Sequence, residues 1–304
     1  MKLKKNKAKL LVLILVCIQC YLLAACSKPV SNVNDVTATE NSQVSAESEA
    51  IVEATEATET EGVKPAYTDS KLEEANTKNK DNPDAISIKY IGNSCFFITF
   101  TDGTRLVTDP YISYWNKKGQ SFPQTEVDVM TISHTHSDHT LGKSSFTGDP
   151  QVLNSQNENK TVTVGDVTIT GYASTHVANM GDSTIFVYEE NGLKIVHMGE
   201  TDNIASQEAK DAVKDADVIL AYAGEYGEVQ NKDSFETLFN DLNIKVLIPQ
   251  HYSLNAKNLV YNQPAMETIL TELPKDTPII KTNEFFVVKD LDKQFVEMSL
   301  MEIE

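Results

Sequence analysis

The chain has 304 residues and carries 44 acidic against 26 basic side chains, a net charge of −18. That balance excludes a nucleic-acid partner, because gripping a phosphate backbone takes clustered Lys and Arg. Four cysteines in 304 residues are also too few for a disulfide scaffold, while the length leaves room for one large domain or two.

The first element is a leader. Lys2, Lys4, Lys5, Lys7 and Lys9 precede a nearly wholly apolar run of 16 residues, Leu10 to Ala25. This is the pattern of a secretory signal peptide, and the run is shorter than the ~20 residues that span a bilayer. It ends in Leu23-Ala24-Ala25-Cys26, which resembles a bacterial lipobox. The resemblance implies cleavage before Cys26 and lipidation of its thiol; the alternative is an unmodified Cys after an ordinary leader. Each buried acyl CH₂ contributes ~0.8 kcal/mol, so the mature protein is expected outside the cytoplasm, anchored to the bacterial membrane through Cys26. Cys17 and Cys20 leave with the leader, and Cys95, in an apolar run, reads as a buried, inert thiol.

Residues 26–83 are poor in large apolar side chains and rich in Ser, Thr, Ala, Asn and Glu. Such a segment buries too little apolar surface to offset chain entropy and reads as a tether. A short helix near Ser70 to Thr77 is compatible with its sequence. From residue 84 to 304 the pattern is that of one folded domain. Strands are predicted at Ile86 to Ile91, Cys95 to Phe100, Arg105 to Thr108 and Val127 to Ile132. Two hairpins follow, Thr161 to Tyr172 around Gly165-Asp166 and Ser183 to Met198 around Asn191-Gly192. Then helices (Ile204 to Val213, Ser234 to Leu242, Pro264 to Leu273) alternate with strands (Asp217 to Tyr222, Ile244 to Ile248). Strands near Phe285 to Val288 and Phe295 to Leu300 close the chain. Hairpins first and β-α-β units after predict an α+β domain of layered sheets and helices. No feature of the sequence specifies an oligomer.

The chemistry concentrates in Ser133-His134-Thr135-His136-Ser137-Asp138-His139, where three of the six histidines and a carboxylate follow an apolar strand. A strand end running into a loop turns such groups to one side, and imidazole and carboxylate are the ligands of Zn²⁺, Mn²⁺ and Fe. The segment matches H-x-H-x-D-H and resembles the metallo-β-lactamase superfamily, a four-layer αββα sandwich. His176, Glu200 and His251 each follow a predicted strand where that superfamily supplies its remaining ligands. The resemblance spans Ile86 to about Leu300.

It implies two divalent ions, zinc first with manganese or iron as alternatives. His134, His136 and His176 would hold one, and Asp138, His139 and His251 the other. Glu200 stands where the family has a bridging Asp, in Gly199-Glu200-Thr201-Asp202; Glu200 is favoured by register, with Asp202 as the alternative or as a cap for the helix that follows. His197 reads as a packed or supporting histidine. Ile91 to Phe97 resembles the first hairpin of the ascorbate-phosphate lactonase-like subgroup, with Asn93 in place of a His. Asp109 either lies near the metals or starts the turn before Pro110. Tyr252 either donates to an oxyanion or packs, and Tyr111 to Gln124 reads as a lid, with Trp115 either exposed there to a ring or acyl chain or packed in the core.

The implied activity is hydrolysis of a small-molecule ester, lactone or phosphoester at the cell surface, through a water acidified between two metals and oriented by the catalytic carboxylate Asp138. A non-catalytic metal-binding surface lipoprotein is the alternative that the Glu200 and Asn93 departures permit. An iron-dependent redox or sulfur-handling relative is a third class, which metal content separates.

Overall fold

In the computed structural model the described residues are 68–112, 119, 121–177, 180–201, 204, 206–225, 228–229, 235–253 and 263–301. They open with helix α1 (Ser70–Lys78), whose Asp69 cap accepts hydrogen bonds from the Lys71 and Leu72 amides at 3.0 and 3.3 Å. Strands β1 (Ile86–Gly92), β2 (Cys95–Thr99), β3 (Arg105–Thr108), β4 (Thr125–Glu126), β5 (Val129–Thr131), β6 (Phe146–Thr147) and β7 (Gln151–Leu153) make the first half. The long hairpins follow as β8 (Thr161–Val164), β9 (Val167–Thr175), β10 (Asp182–Glu190) and β11 (Leu193–His197). The remaining order is α2 (Gln207–Val213), β12 (Val218–Tyr222), β13 (Gly224–Glu225), β14 (Glu228–Val229), α3 (Phe235–Asn240), β15 (Val246–Gln250), α4 (Met266–Thr271), β16 (Ile279–Thr282), β17 (Glu284–Val287) and β18 (Gln294–Met298).

Two sheets carry the core. One has six strands in the order β17-β1-β2-β3-β5-β7, the other eight in the order β16-β18-β15-β12-β11-β10-β9-β8. Their inner faces meet. Phe96 on β2 sits edge-on to the His197 ring on β11 at 6.5 Å, and Thr131 on β5 hydrogen-bonds Tyr188 on β10 at 2.8 Å. With helices outside, this is the αββα sandwich. The parallel strands β12 and β15 are buried at every position, as strands covered on both faces must be. Asn191 and Gly192 both take positive φ, 53° and 76°, the two-residue turn that matches strand twist. A further tie joins the sheets at their tips: Glu190 accepts the Thr101 and Asp102 amides at 2.9 and 3.0 Å.

The predicted strands and helices recur with ends shifted by one to three residues, except that β4, β6, β7, β13, β14 and β16 were not predicted. Helix α1 belongs to the globular body, so that body includes Thr68 onward. Leu72 packs α1 against the core, and the buried Asn76 amide adds a polar fastening: it donates to Glu284 O and accepts from Phe286 N, both at 2.9 Å, completing the open edge of β17. Asp69 N also donates to Ile279 O at 2.8 Å. Apolar periodicity, the signal used to set the boundary, does not register a backbone-pairing asparagine. Residues 26–67, and with them Cys26 and most of the tether, lie outside the described residues, as do Trp115 and Asp202.

Candidate metal centre

Every residue of the candidate site leaves from the C-terminal end of a strand. After β5 the chain continues through Ile132 and Ser133 to His134, and a 3-10 turn over Ser137–His139 presents Asp138 and His139. His176 follows β9, Glu200 follows β11 by way of Gly199, and His251 follows β15. Gly199 is required by space and by conformation. Its φ is +57°, and a Cβ there would lie 2.7 Å from Ser133 Oγ and closer still to the Ser133 Cβ. Gln250 Nε2 donates to Gly199 O at 2.6 Å and fixes this corner between the strands that carry Glu200 and His251.

All seven predicted site residues converge. One ligand atom each from His134, His136, His176 and Glu200 lie within 4.8 Å of one another, and the same holds for Asp138, His139, Glu200 and His251. Glu200 belongs to both groups and divides its oxygens between them. Oε2 faces His176 Nε2 at 2.7 Å and His134 Nε2 at 3.8 Å, whereas Oε1 faces His139 Nε2 at 2.6 Å and His251 Nε2 at 2.7 Å. Asp138 Oδ2 lies 3.6 Å from both His139 Nε2 and His251 Nε2.

The surroundings decide which nitrogen of each ring is free. Val177 O and Gly224 O only accept, so the Nδ1 atoms of His176 and His251, 2.8 and 3.2 Å away, carry the protons. His139 Nδ1 likewise donates to Asp109 Oδ2 at 2.7 Å. Ser133 Oγ gives its proton to Asp109 Oδ2 at 2.6 Å, so His134 Nδ1 donates to Ser133 Oγ at 3.0 Å. Each of these four rings therefore turns its Nε2 toward one centre lined by carboxylate oxygens. Lone pairs facing oxygens at 2.6–2.7 Å repel unless positive charge lies between them. His251 Nε2, fully buried, makes no well-aligned hydrogen bond among the described residues, although Glu200 Oε1 lies 2.7 Å away. These residues fit divalent ions: imidazole and carboxylate donors, each ring oriented by a backbone carbonyl, hydroxyl or carboxylate behind it.

A sequence match to the beta-lactamase superfamily domain covers residues 87–251, more than half of the chain and all seven of these side chains. The chain belongs to that superfamily. It is 25% identical over 211 residues to a UPF0173 metal-dependent hydrolase of Enterococcus faecalis, covering 58% of this chain and 89% of the relative. Among solved structures it is similar to a candidate Zn-dependent hydrolase of the metallo-β-lactamase superfamily from Thermotoga maritima. That match has 26% identity and a TM-score of 0.55, covering 70% of this chain and 98% of the other.

The superfamily site is held by a second set of residues, only partly foreseen. Asp109, fully buried, accepts from Ser133 N at 2.7 Å as well as from Ser133 Oγ and His139 Nδ1, so it stands behind the ligands and orients them. His197 is buried at 3.2 Å from Ser94 O and 3.8 Å from Asp109 Oδ2, a supporting position. Asn93 Nδ2 donates to Asp138 O at 3.1 Å and reaches Asp138 Oδ2 at 3.4 Å. Ser133 was not singled out from sequence; its one signal is adjacency to His134. Tyr252 packs rather than facing the site: its OH donates to Met298 O at 2.6 Å and its ring stacks on Tyr90. Cys95 is buried, and burial pushes its thiol far up, which keeps it inert.

Electrostatics follow from this packing. Burial alone would push Glu200 up, but the His251 and His139 rings hold it well below the usual carboxylate range. Burial presses His251 down, and the Glu200 and Asp138 carboxylates outweigh it, lifting His251 to about 9. His134, pressed by burial and by His139, falls to about 3. A metal ion takes the place of the protons that this cluster otherwise attracts.

Proposed function

We propose that this metal-dependent hydrolase of the β-lactamase superfamily holds two divalent ions, zinc first with manganese or iron as alternatives, and cleaves an ester, lactone or phosphoester of a small molecule. His134, His136 and His176 would hold one ion, Asp138, His139 and His251 the other, and Glu200 would reach both. The observation that carries this reading is the set of imidazole Nε2 atoms aimed at a carboxylate that divides its oxygens between two groups. Bound there, a pair of ions polarises the scissile oxygen and acidifies a water.

The chain's own residues supply the rest. His136 is exposed and the Asp138 side chain is 14% exposed, while the other five site residues are buried, so substrate approaches over these two. Asp138 is held below the ordinary carboxylate range, since the His251 and His139 contacts outweigh its burial. It stays ionised at neutral pH and is the group placed to orient the attacking water and to hold its proton. The likeness of the Ile91 to Phe97 hairpin to the ascorbate-phosphate lactonase-like subgroup favours a lactone or phosphoester.

The protein works outside the cytoplasm, anchored through lipid on Cys26. Support comes from the basic n-region, the 16-residue apolar run and the lipobox-like end. Among the described residues no helix is long and apolar enough to cross a membrane. Incorporation of labelled fatty acid, lost in Cys26→Ser, tests the anchor.

Elemental analysis of the purified chain should find two ions, and hydrolysis of generic ester, lactone or bis-phosphoester substrates should vanish with chelation and return with metal. Full turnover by metal-free protein, or by His136→Ala, would end this reading.

A further inference from the structure

Asn93 touches only one of the two ligand groups. It is fully buried in the tight connection between β1 and β2, at φ 59°, a left-handed conformation that Asn tolerates better than most residues. Its amide orientation is set from behind, because Gln263 Nε2 donates to Asn93 Oδ1. That leaves Nδ2 facing Asp138, at 3.1 Å from its carbonyl oxygen and 3.4 Å from Oδ2. The Asn93 main-chain carbonyl points to a second site residue, accepting from the His251 amide at 2.9 Å. Tyr90 OH steadies the same carbonyl at 3.0 Å. The backing of the other group comes from elsewhere: Ser133 behind His134, and Val177 O behind His176.

We infer that Asn93 is a positioning residue for one metal subsite alone, the Asp138, His139 and His251 side, and that its side chain sets the affinity of the ion held there. The inference rests on the two-metal reading above. Asp138 is the only site carboxylate on that side that also reaches solvent, so it alone has room to swing out. The Asn93 amide ties both its main chain and its carboxylate. The residue thus acts where a departure from the family's His was noted, and gives that departure a function.

The test is Asn93→Gly in the full chain. Glycine keeps the left-handed backbone and with it the His251 hydrogen bond, and removes only the amide. Zinc is titrated against a chromogenic chelator to give two stepwise constants, and the metal-free melt is recorded beside it. Wild type should take up two ions. Asn93→Gly should leave one of the two constants unchanged and weaken the other by about 10- to 100-fold, the range for residues that orient ligands. Gln263→Leu, which frees the amide to turn, should weaken the same constant with the backbone untouched. Equal constants in wild type and Asn93→Gly, or equal loss at both steps, overturn the inference and leave the two-metal reading standing. Fewer than two ions in wild type overturns both.

Discussion

Asp109→Asn separates orientation from charge in this site. Asn keeps the shape and tolerates the left-handed backbone at φ 35°, so the fold is not strained by the change. Asp109 Oδ1 accepts the Ser133 amide, and Oδ2 accepts both Ser133 Oγ and His139 Nδ1. The backbone N–H of Ser133 cannot turn away, so the Asn oxygen must occupy the Oδ1 place and its NH₂ the Oδ2 place. A donor then faces His139 Nδ1. The ring can meet it only by moving its proton to Nε2, the atom that would bind metal. Hydrogen bonds to a charged acceptor contribute ~1.5–3 kcal/mol, and Ser133 Oγ can rotate to recover its own, so the net loss on unfolding is ~2 kcal/mol. Affinity at the Asp138, His139 and His251 subsite falls further, about 10- to 100-fold. Urea unfolding of the metal-free chain reads the first number, chelator competition the second, and ¹⁵N shifts of His139 the tautomer. Wild-type affinity for both ions, with His139 still protonated on Nδ1, would refute the tautomer argument.

Four other outcomes follow from the same geometry. Gly199→Ala forces a Cβ into Ser133 at φ +57° and should cost ~2–3 kcal/mol in urea unfolding. Tyr252→Phe should lose ~1 kcal/mol of stability with the Met298 hydrogen bond while leaving turnover intact; a large fall in kcat would return Tyr252 to the chemistry. In the metal-free chain His251, raised to about 9 from 6.5, stabilises the fold fully below pH 6.5. That contribution disappears as pH climbs through 9, so unfolding midpoints should drop across this window. Asp109 works in the opposite sense: burial opposes ionisation, the His139 and His197 rings overcome it, and its value near 2 against 3.8 gives stability present above pH 3.8 and lost as pH falls through 2.

The candidate cluster was legible because much of it is local. His134, His136, Asp138 and His139 crowd into six residues, and His176 and His251 each follow a run of apolar residues that had to be a strand. What organises those ligands was less legible. Asn93 is 45 residues from Asp138, and Asp109 is 30 from His139, so neither partnership leaves a trace in spacing. They exist because β1, β2, β3 and β5 lie side by side in one sheet, which brings the corners at Asn93 and Asp109 to the turn that follows β5. The attachment of α1 was hidden for a related reason, since Asn76 reaches 208 residues ahead to Glu284 with no apolar pattern to announce it. Short strands such as Gln151–Leu153 carry too few residues for an alternation to show.

Asn93, Asp109, Gly199 and His251 all take positive φ, and all four lie where a strand ends at the site. For Asp109 and His251 that conformation is costly, about 1–3 kcal/mol each, and survives only where the surroundings over-determine it. Here the surroundings do: His251 N is held by Asn93 O and its ring by Gly224 O, while Asp109 is locked by Ser133 and His139. A strand that continued in extended form would carry alternate side chains past the site and into the two faces of the sheet. The left-handed turn instead reverses the chain at once, so that the ligand points back across the strand ends toward its neighbours. The longer reach of Glu200, compared with an aspartate, acts in the same sense. With its backbone displaced by the Gly199 turn, the extra methylene lets one carboxylate place an oxygen in each ligand group. Glu200→Asp should therefore weaken both ions together, in contrast to the single-step loss expected for Asn93→Gly. A loss confined to one ion in Glu200→Asp would show that Glu200 serves one group and not two.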